Sequence, residues 1–187
     1  MIGRSLPLFV VAALRLVVPV LIACATLAGA ALAETGTLRT IPACFVSTGE
    51  KADRPPTGAA RPPVVVQLEI ADTAHARATG LMHRQHLDAD AGMLFVFSAP
   101  RPGNTGFWMY NTLIPLDIAF LDDDGHIGRI LTMTPCPHQR ATRCPSYRPG
   151  VPYRQAVEMN AGFFDRHSLS EGDRLLTGAS CPAGDRP

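Results

Sequence analysis

The stretch LDIAFL at 116–121 constrains this chain more than any other. Read with the two-residue period of a strand, it puts Asp117, Ala119 and Leu121 on one face and Leu116, Ile118 and Phe120 on the other, so both faces are apolar apart from one carboxylate. Such a strand belongs in the middle of a sheet that is covered on both sides. DDDG follows, then an apolar-rich segment from His126 to Met133. Asp124-Gly125 favours a type I′ hairpin turn, so the two segments are expected to pair antiparallel. Asp117 is then partly or wholly buried, and a buried carboxylate needs a cation, several donors or a proton. Arg84 is the expected cation, because a guanidinium can hold a carboxylate with two parallel bonds.

The remaining elements follow from the same periodicities. VVVQLEIAD at 64–72 alternates as a half-buried strand, and Asp72 or Thr73 caps a short helix, AHARATG, that Gly80 can end in a left-handed conformation. MLFVF at 93–97, FWMY at 107–110, YRQAVEMN at 153–160 and RLLT at 174–177 read as further strands, and AGFFDRHSL at 161–169 as a second short helix. There is no repeated strand-helix rhythm. The expected fold is therefore mainly β (α+β), a small antiparallel β-sandwich or barrel with one or two short helices. It forms a single domain over residues 64–178, preceded by an irregular, Pro- and Gly-rich lead-in at 34–63 and followed by a tail at 179–187.

Residues 1–33 have the build of a secretory signal: Arg4 and Arg15, an apolar run LVVPVLIACATLAGAALA, and small residues Ala31 and Ala33 before Glu34. The expected location is periplasmic or extracellular. LIAC at 21–24 is the competing signal, for a lipoprotein anchored at Cys24, although the residues after it stay apolar where a lipid tether would turn polar. A membrane is an expected partner only in that case.

Removing residues 1–33 takes Arg4 and Arg15 and no acid, leaving 15 basic against 16 acidic residues. That balance argues against nucleic acid as a partner. The four remaining cysteines, an even number on an exported chain, point to disulfides. Cys136 and Cys144 share one proline-rich loop and are expected to pair with each other, which leaves Cys44 with Cys181.

Several strings are specific: GLMHRQHL at 80–87, GMLFVF at 92–97, FWMYNTLIPLDIAFLDDDGHI at 107–127, PC and CPSY within 135–147, and VEMNAG at 157–162. Together they resemble the prokaryotic family known as domain of unknown function 192. The resemblance implies a compact, mainly β domain, often exported, and supplies no reaction or ligand. Tyr110 departs from it, standing where the family more often has lysine, so no charged role is expected there.

Two readings of Arg84, Asn111, Thr112 and Asp117 follow. In one they form a polar knot that satisfies backbone groups around the strand irregularity at Pro115. In the other they are the polar floor of a ligand-binding pocket, with Trp108 and Met109 as apolar wall and Glu158 approaching from the next strand. The expected function is a binding module for an unknown small molecule or an envelope protein. The alternative is a hydrolase using Asp117 and Glu158 as acid and base.

No other catalytic set emerges: the serines lack a nucleophile-elbow context, and no phosphate-binding glycine loop is present. His75, His83 and His86 lie near Met82, Met93 and Met109, residues that suit copper. The histidines sit in a turn-prone stretch and the methionines in core runs, so no metal or cofactor is expected.

Overall fold

The computed structural model describes residues 37–48, 61–137 and 140–181. The expected signal segment, Cys24, most of the lead-in between 49 and 60, and the tail after 181 lie outside them. Among the described residues no helix is long and apolar enough to cross a membrane.

The fold is mainly β. Seven strands make one sheet in the order β6-β5-β8-β3-β2-β1-β9. They are β1 (Thr40–Val46), β2 (Val64–Ala71), β3 (Ala91–Arg101), β5 (Leu116–Leu121), β6 (Ile127–Met133), β8 (Tyr153–Asn160) and β9 (Arg174–Thr177). A two-stranded ribbon of β4 (Phe107–Trp108) and β7 (Ser146–Tyr147) lies beside them. All neighbours pair antiparallel except β2 and β3, which run parallel and are joined through helix α1 (Ala74–Thr79).

The sheet curls until its two ends touch. His126, just before β6, bridges to Arg174 of β9, and the Ile127 N–H donates to the Asp173 carbonyl at 2.8 Å. Leu175 N–H donates to Gly125 O at 2.9 Å, sealing the same corner. Gly125 is required twice over. Its φ is +85°, and a Cβ there would lie 2.6 Å from the Leu175 carbonyl oxygen.

Curling divides the apolar residues into two layers. The concave side collects Phe45, Val66, Leu68, Leu94, Val157 and Met159, plugged by Phe163 and Phe164 of helix α2 (Phe163–Arg166). The convex side carries a second layer over β3, β8 and β5, built from Leu81, Met93, Phe95, Met109, Ile118 and Phe120. Strand β5 separates these layers, and all six of its residues are buried, as a strand with two apolar faces requires.

Local signals explain most element ends. The Thr73 hydroxyl accepts from Ala76 N–H at 3.1 Å, making it the N-cap of α1, and Gly80 ends the helix with φ 49°. The β5–β6 hairpin forms as expected, but its turn does not have the expected I′ geometry. A I′ turn needs two central residues with positive φ, and in DDDG only Gly125 has one. The Asp122 carboxylate instead accepts from the N–H groups of Asp124 and His126, both at 2.9 Å, and the strand register shifts beside it. This is the longer hairpin loop in which glycine follows an ordinary turn.

The lead-in needs a larger correction. TIPACFV, expected to be irregular, is β1, an interior strand between β2 and β9 with Ala43, Cys44 and Phe45 fully buried. Pro42 is tolerated because β9 begins to pair only at Ala43, where β1 gains its second neighbour. The two expected cysteine pairs are present: Cys44 with Cys181, and Cys136 with Cys144.

Candidate functional site

Glu158 is the one charged-type side chain on the convex face of the central β5-β8-β3 unit that has no partner among the described residues. Its cross-strand neighbours are Ile118 and Met93, so it points into the convex apolar layer. It is only 4 % exposed, and no described side chain or backbone N–H donates to its carboxylate. No described side-chain oxygen that is shut off from its surroundings lacks a partner, so these oxygens open into the cleft they line. Burial pushes the Glu158 carboxyl up to about 8, so it carries its proton at neutral pH.

The cleft is narrow, with a volume of about 20 Å³, and polar and apolar groups both line it. One wall is the turn after α1, with Gly80, Leu81 and Met82. The other is formed by Phe95, Phe107 and Trp108, with Thr112 close by. Phe107 packs edge-on against Phe95 (5.0 Å between centroids) and Phe120 (5.6 Å), which fixes the base of the β4 ribbon. Trp108, the only tryptophan of the chain, is 48 % exposed at the rim and lies 5.8 Å from the Tyr110 ring. Arg77 also lines the cleft, but its guanidinium donates to the carbonyls of Asp72 and Val96 and stacks over the Phe97 ring.

Asn111 shapes the wall through its backbone. Its φ of 54° is left-handed, which asparagine tolerates better than most residues. In that conformation its carbonyl accepts from His83 N–H at 2.9 Å and its N–H donates to the Cys136 carbonyl at 3.1 Å. Cys136 N–H in turn donates to Thr112 O at 3.2 Å. The Asn111-Thr112 pair therefore ties the His83 turn to the disulfide loop.

The expected ion pair is corrected. Arg84 holds Glu69, not Asp117, through two bonds of 2.6 Å each. Glu69 pairs across from Met93 in the parallel β2–β3 register, so it stands on the convex face, within reach of the turn that carries Arg84. Together they line a separate polar groove with His86 and Asp88.

Asp117 faces the other way. Its cross-strand partners are Met159 and Thr132, so it points to the concave side, where the Thr132 hydroxyl donates to it at 2.8 Å. The acid-base pairing of Asp117 with Glu158 is thereby ruled out, because the sheet itself lies between the two carboxylates. Of the expected site residues, Trp108, Thr112 and Glu158 share one cleft, whereas Arg84, Asn111 and Asp117 do not line it. Thr132→Val should leave the buried Asp117 carboxylate without its donor and cost about 1–3 kcal/mol in denaturant unfolding; a variant as stable as wild type would show that the bond carries no weight.

The identifying match covers β2 through β9 and contains the whole cleft: residues 57–177 fit the model of an uncharacterized family, domain of unknown function 192 (DUF192). The chain belongs to the DUF192 family. Strand β1 lies outside the matched residues, although it completes the DUF192 sheet here. Two solved structures share the fold. A protein from Sinorhizobium meliloti 1021 described as a "putative transcription regulator" is 29 % identical, with a TM-score of 0.60 over 75 % of this chain and 95 % of its own. A protein of unknown function from Novosphingobium aromaticivorans DSM 12444 is 27 % identical, with a TM-score of 0.60 over 76 % of this chain and 89 % of its own. No curated protein matches the chain.

Within this DUF192 domain, the string FWMYNTLIPLDI has a physical division of labour. Phe107, Met109, Leu116 and Ile118 fill the convex layer, Trp108 and Thr112 face the cleft, and Asn111 makes the turn between them. Sequence reasoning missed Gly80, Leu81 and Phe95 as cleft walls. The signal was available in the neighbouring strings GLMHRQHL and GMLFVF, which bring them there.

Proposed function

We propose that this DUF192 chain is an exported binding module that takes a small molecule in the Glu158 cleft. The observation that carries the reading is the carboxyl of Glu158, buried at the base of a narrow cleft beside aromatic side chains, with no group among the described residues to satisfy it. Such a group is costly to keep in a core, and sites for small molecules combine apolar walls with a few fixed polar groups of this kind. Two disulfides fit a non-cytoplasmic location, and the N-terminal sequence fits export.

Trp108 provides the test, because the only indole of the chain stands at the rim of the cleft. A fragment library spanning neutral, cationic and anionic small molecules should contain members that change its emission saturably and raise the melting temperature, by mass action on the folded state. Their effect should weaken in Phe95→Ala and Thr112→Val. A library in which no fragment moves either signal would overturn the reading.

A further inference from the structure

We infer that the outward face of the β4–β7 ribbon, where Trp108, Tyr110 and Leu113 lie beside Arg140, Arg143 and Arg148, docks on an anionic phospholipid bilayer. The pairing of the ribbon brings these groups together. Trp108 stands opposite Ser146, so their side chains share one face, while Phe107 and Tyr147 share the other and pack on the convex apolar layer. The Trp108 and Tyr110 rings lie 5.8 Å apart on the outward side. Arg148 lies against the same ribbon at Gly106, where a Cβ would come within 2.8 Å of its Cγ. Tyr110 also bridges to Cys136, whose bond to Cys144 holds the loop with Arg140 and Arg143 alongside.

The charge of this face has one sign. Residues 103–115 and 134–151 contain Arg140, Arg143 and Arg148 and no acid. All three arginines are exposed and none forms an ion pair with a described residue, whereas Arg61, Arg84, Arg129 and Arg154 each meet a carboxylate. The exposed acids of the adjoining hairpin, Asp122, Asp123 and Asp124, lie at the far end of β5, about 20 Å away along the strand. A chain close to neutral overall therefore turns three free cations to one side.

The apolar groups decide between anionic partners. Three large apolar side chains are exposed among the described residues, and two of them, Trp108 at 48 % and Leu113 at 41 %, belong to this patch. Indole and phenol rings combine an apolar body with a polar edge, which suits the headgroup layer of a bilayer. A stable protein interface takes about 800 Å² per partner. Half an indole of at most about 250 Å², with parts of Tyr110 and Leu113, supplies far less apolar surface than that. A bilayer needs no matching shape, and each arginine at an anionic surface strengthens attachment by roughly fivefold. Because Trp108 also stands at the rim of the Glu158 cleft, docking brings the mouth of that cleft to the lipid headgroups.

The experiment adds vesicles to the full chain, made either of phosphatidylcholine alone or of an equal mixture with phosphatidylglycerol, and follows Trp108 emission. Anionic vesicles should shift the emission to the blue, and acyl chains brominated near the headgroup should quench it. Neutral vesicles should bind about a hundredfold more weakly, the combined effect of three arginines. Arg140→Gln, Arg143→Gln and Arg148→Gln together should give the same loss on anionic vesicles and leave the melting temperature unchanged. Leu113→Ser should weaken attachment several-fold. High salt should release the wild-type chain, because screening shortens the reach of the arginines. No shift with anionic vesicles, equal affinity for the two vesicle types, or a triple variant that binds like wild type would overturn the inference. Vesicle binding that leaves Trp108 emission unchanged would also overturn it, by placing the attachment on another part of the chain. An equal shift with polyglutamate would assign the face to an acidic protein partner, and the bilayer assignment would fall.

Discussion

Glu158→Gln should flatten the pH dependence of stability between about pH 4.5 and pH 8 and make the variant more stable than wild type at pH 9. The carboxyl has an ordinary value of 4.5, held in the unfolded chain, and burial raises it to about 8 in the fold. Between those values the folded chain keeps a proton that the unfolded chain has lost, so stability falls as pH rises. The loss begins above about 4.5, is complete above about 8, and amounts to something on the order of 5 kcal/mol at roughly 1.4 kcal/mol for each pH unit of separation. Glutamine cannot ionise, and its buried amide costs the same at every pH. The two stability curves should therefore cross: wild type at least as stable at pH 5, the variant ahead at pH 9. Urea denaturation of both proteins at pH 5, 7 and 9 measures this. Parallel curves would show that Glu158 is ionised in the fold at neutral pH, and would remove the reason for treating it as an unsatisfied group.

This carboxyl also shows how far the sequence could be read. LDIAFL implied a central strand with both faces covered, and β5 is one. That reading needed only the local period of two and the apolar character of both faces. The same period places Glu158 and Asp117 on neighbouring strands but cannot say which residue stands opposite which. In the fold Asp117 faces Met159, and that single step of register sends Glu158 to the opposite side of the sheet. The partner of Arg84 was hidden for a related reason. Glu69 reaches it through the parallel β2–β3 pairing, which rests on a crossover and leaves no hairpin signal. Strand β1 was obscured by composition: Pro42 and the Gly- and Pro-rich text around it look like a lead-in, and only pairing on both sides makes TIPACFV a strand. Cysteine pairing was legible because Cys136 and Cys144 stand only eight positions apart and the other pair follows by elimination.

That other pair carries the second large expectation. Cys44 lies in β1, buried between β2 and β9, and Cys181 follows the short turn after β9, so their bond ties the two strands at one edge of the curled sheet over a separation of 137 residues. Closing a loop of that length removes conformational freedom from the unfolded chain, worth about 5 kcal/mol in the chain-entropy model. The eight-residue separation between Cys136 and Cys144 closes a much smaller loop, for which the same model gives less. Cys44→Ala with Cys181→Ala should therefore lower unfolding stability by about 3–5 kcal/mol and shift the melting temperature down by more than 10 °C for a domain of this size. β1 should loosen first, because β9 is short and its pairing with β1 covers only Ala43 to Val46. Hydrogen exchange would show this as faster exchange of β1 amides than of β5 amides, which are buried between two strands and two apolar layers. Cys136→Ala with Cys144→Ala should cost less stability but loosen the Cys136 end of the Asn111-Thr112 linkage, so it should weaken ligand effects on Trp108 more than it lowers the melting temperature. If instead the Cys44–Cys181 variant melts like wild type, β1 is held by its backbone pairing and by Phe45 in the concave core, and the covalent tie adds nothing to the fold.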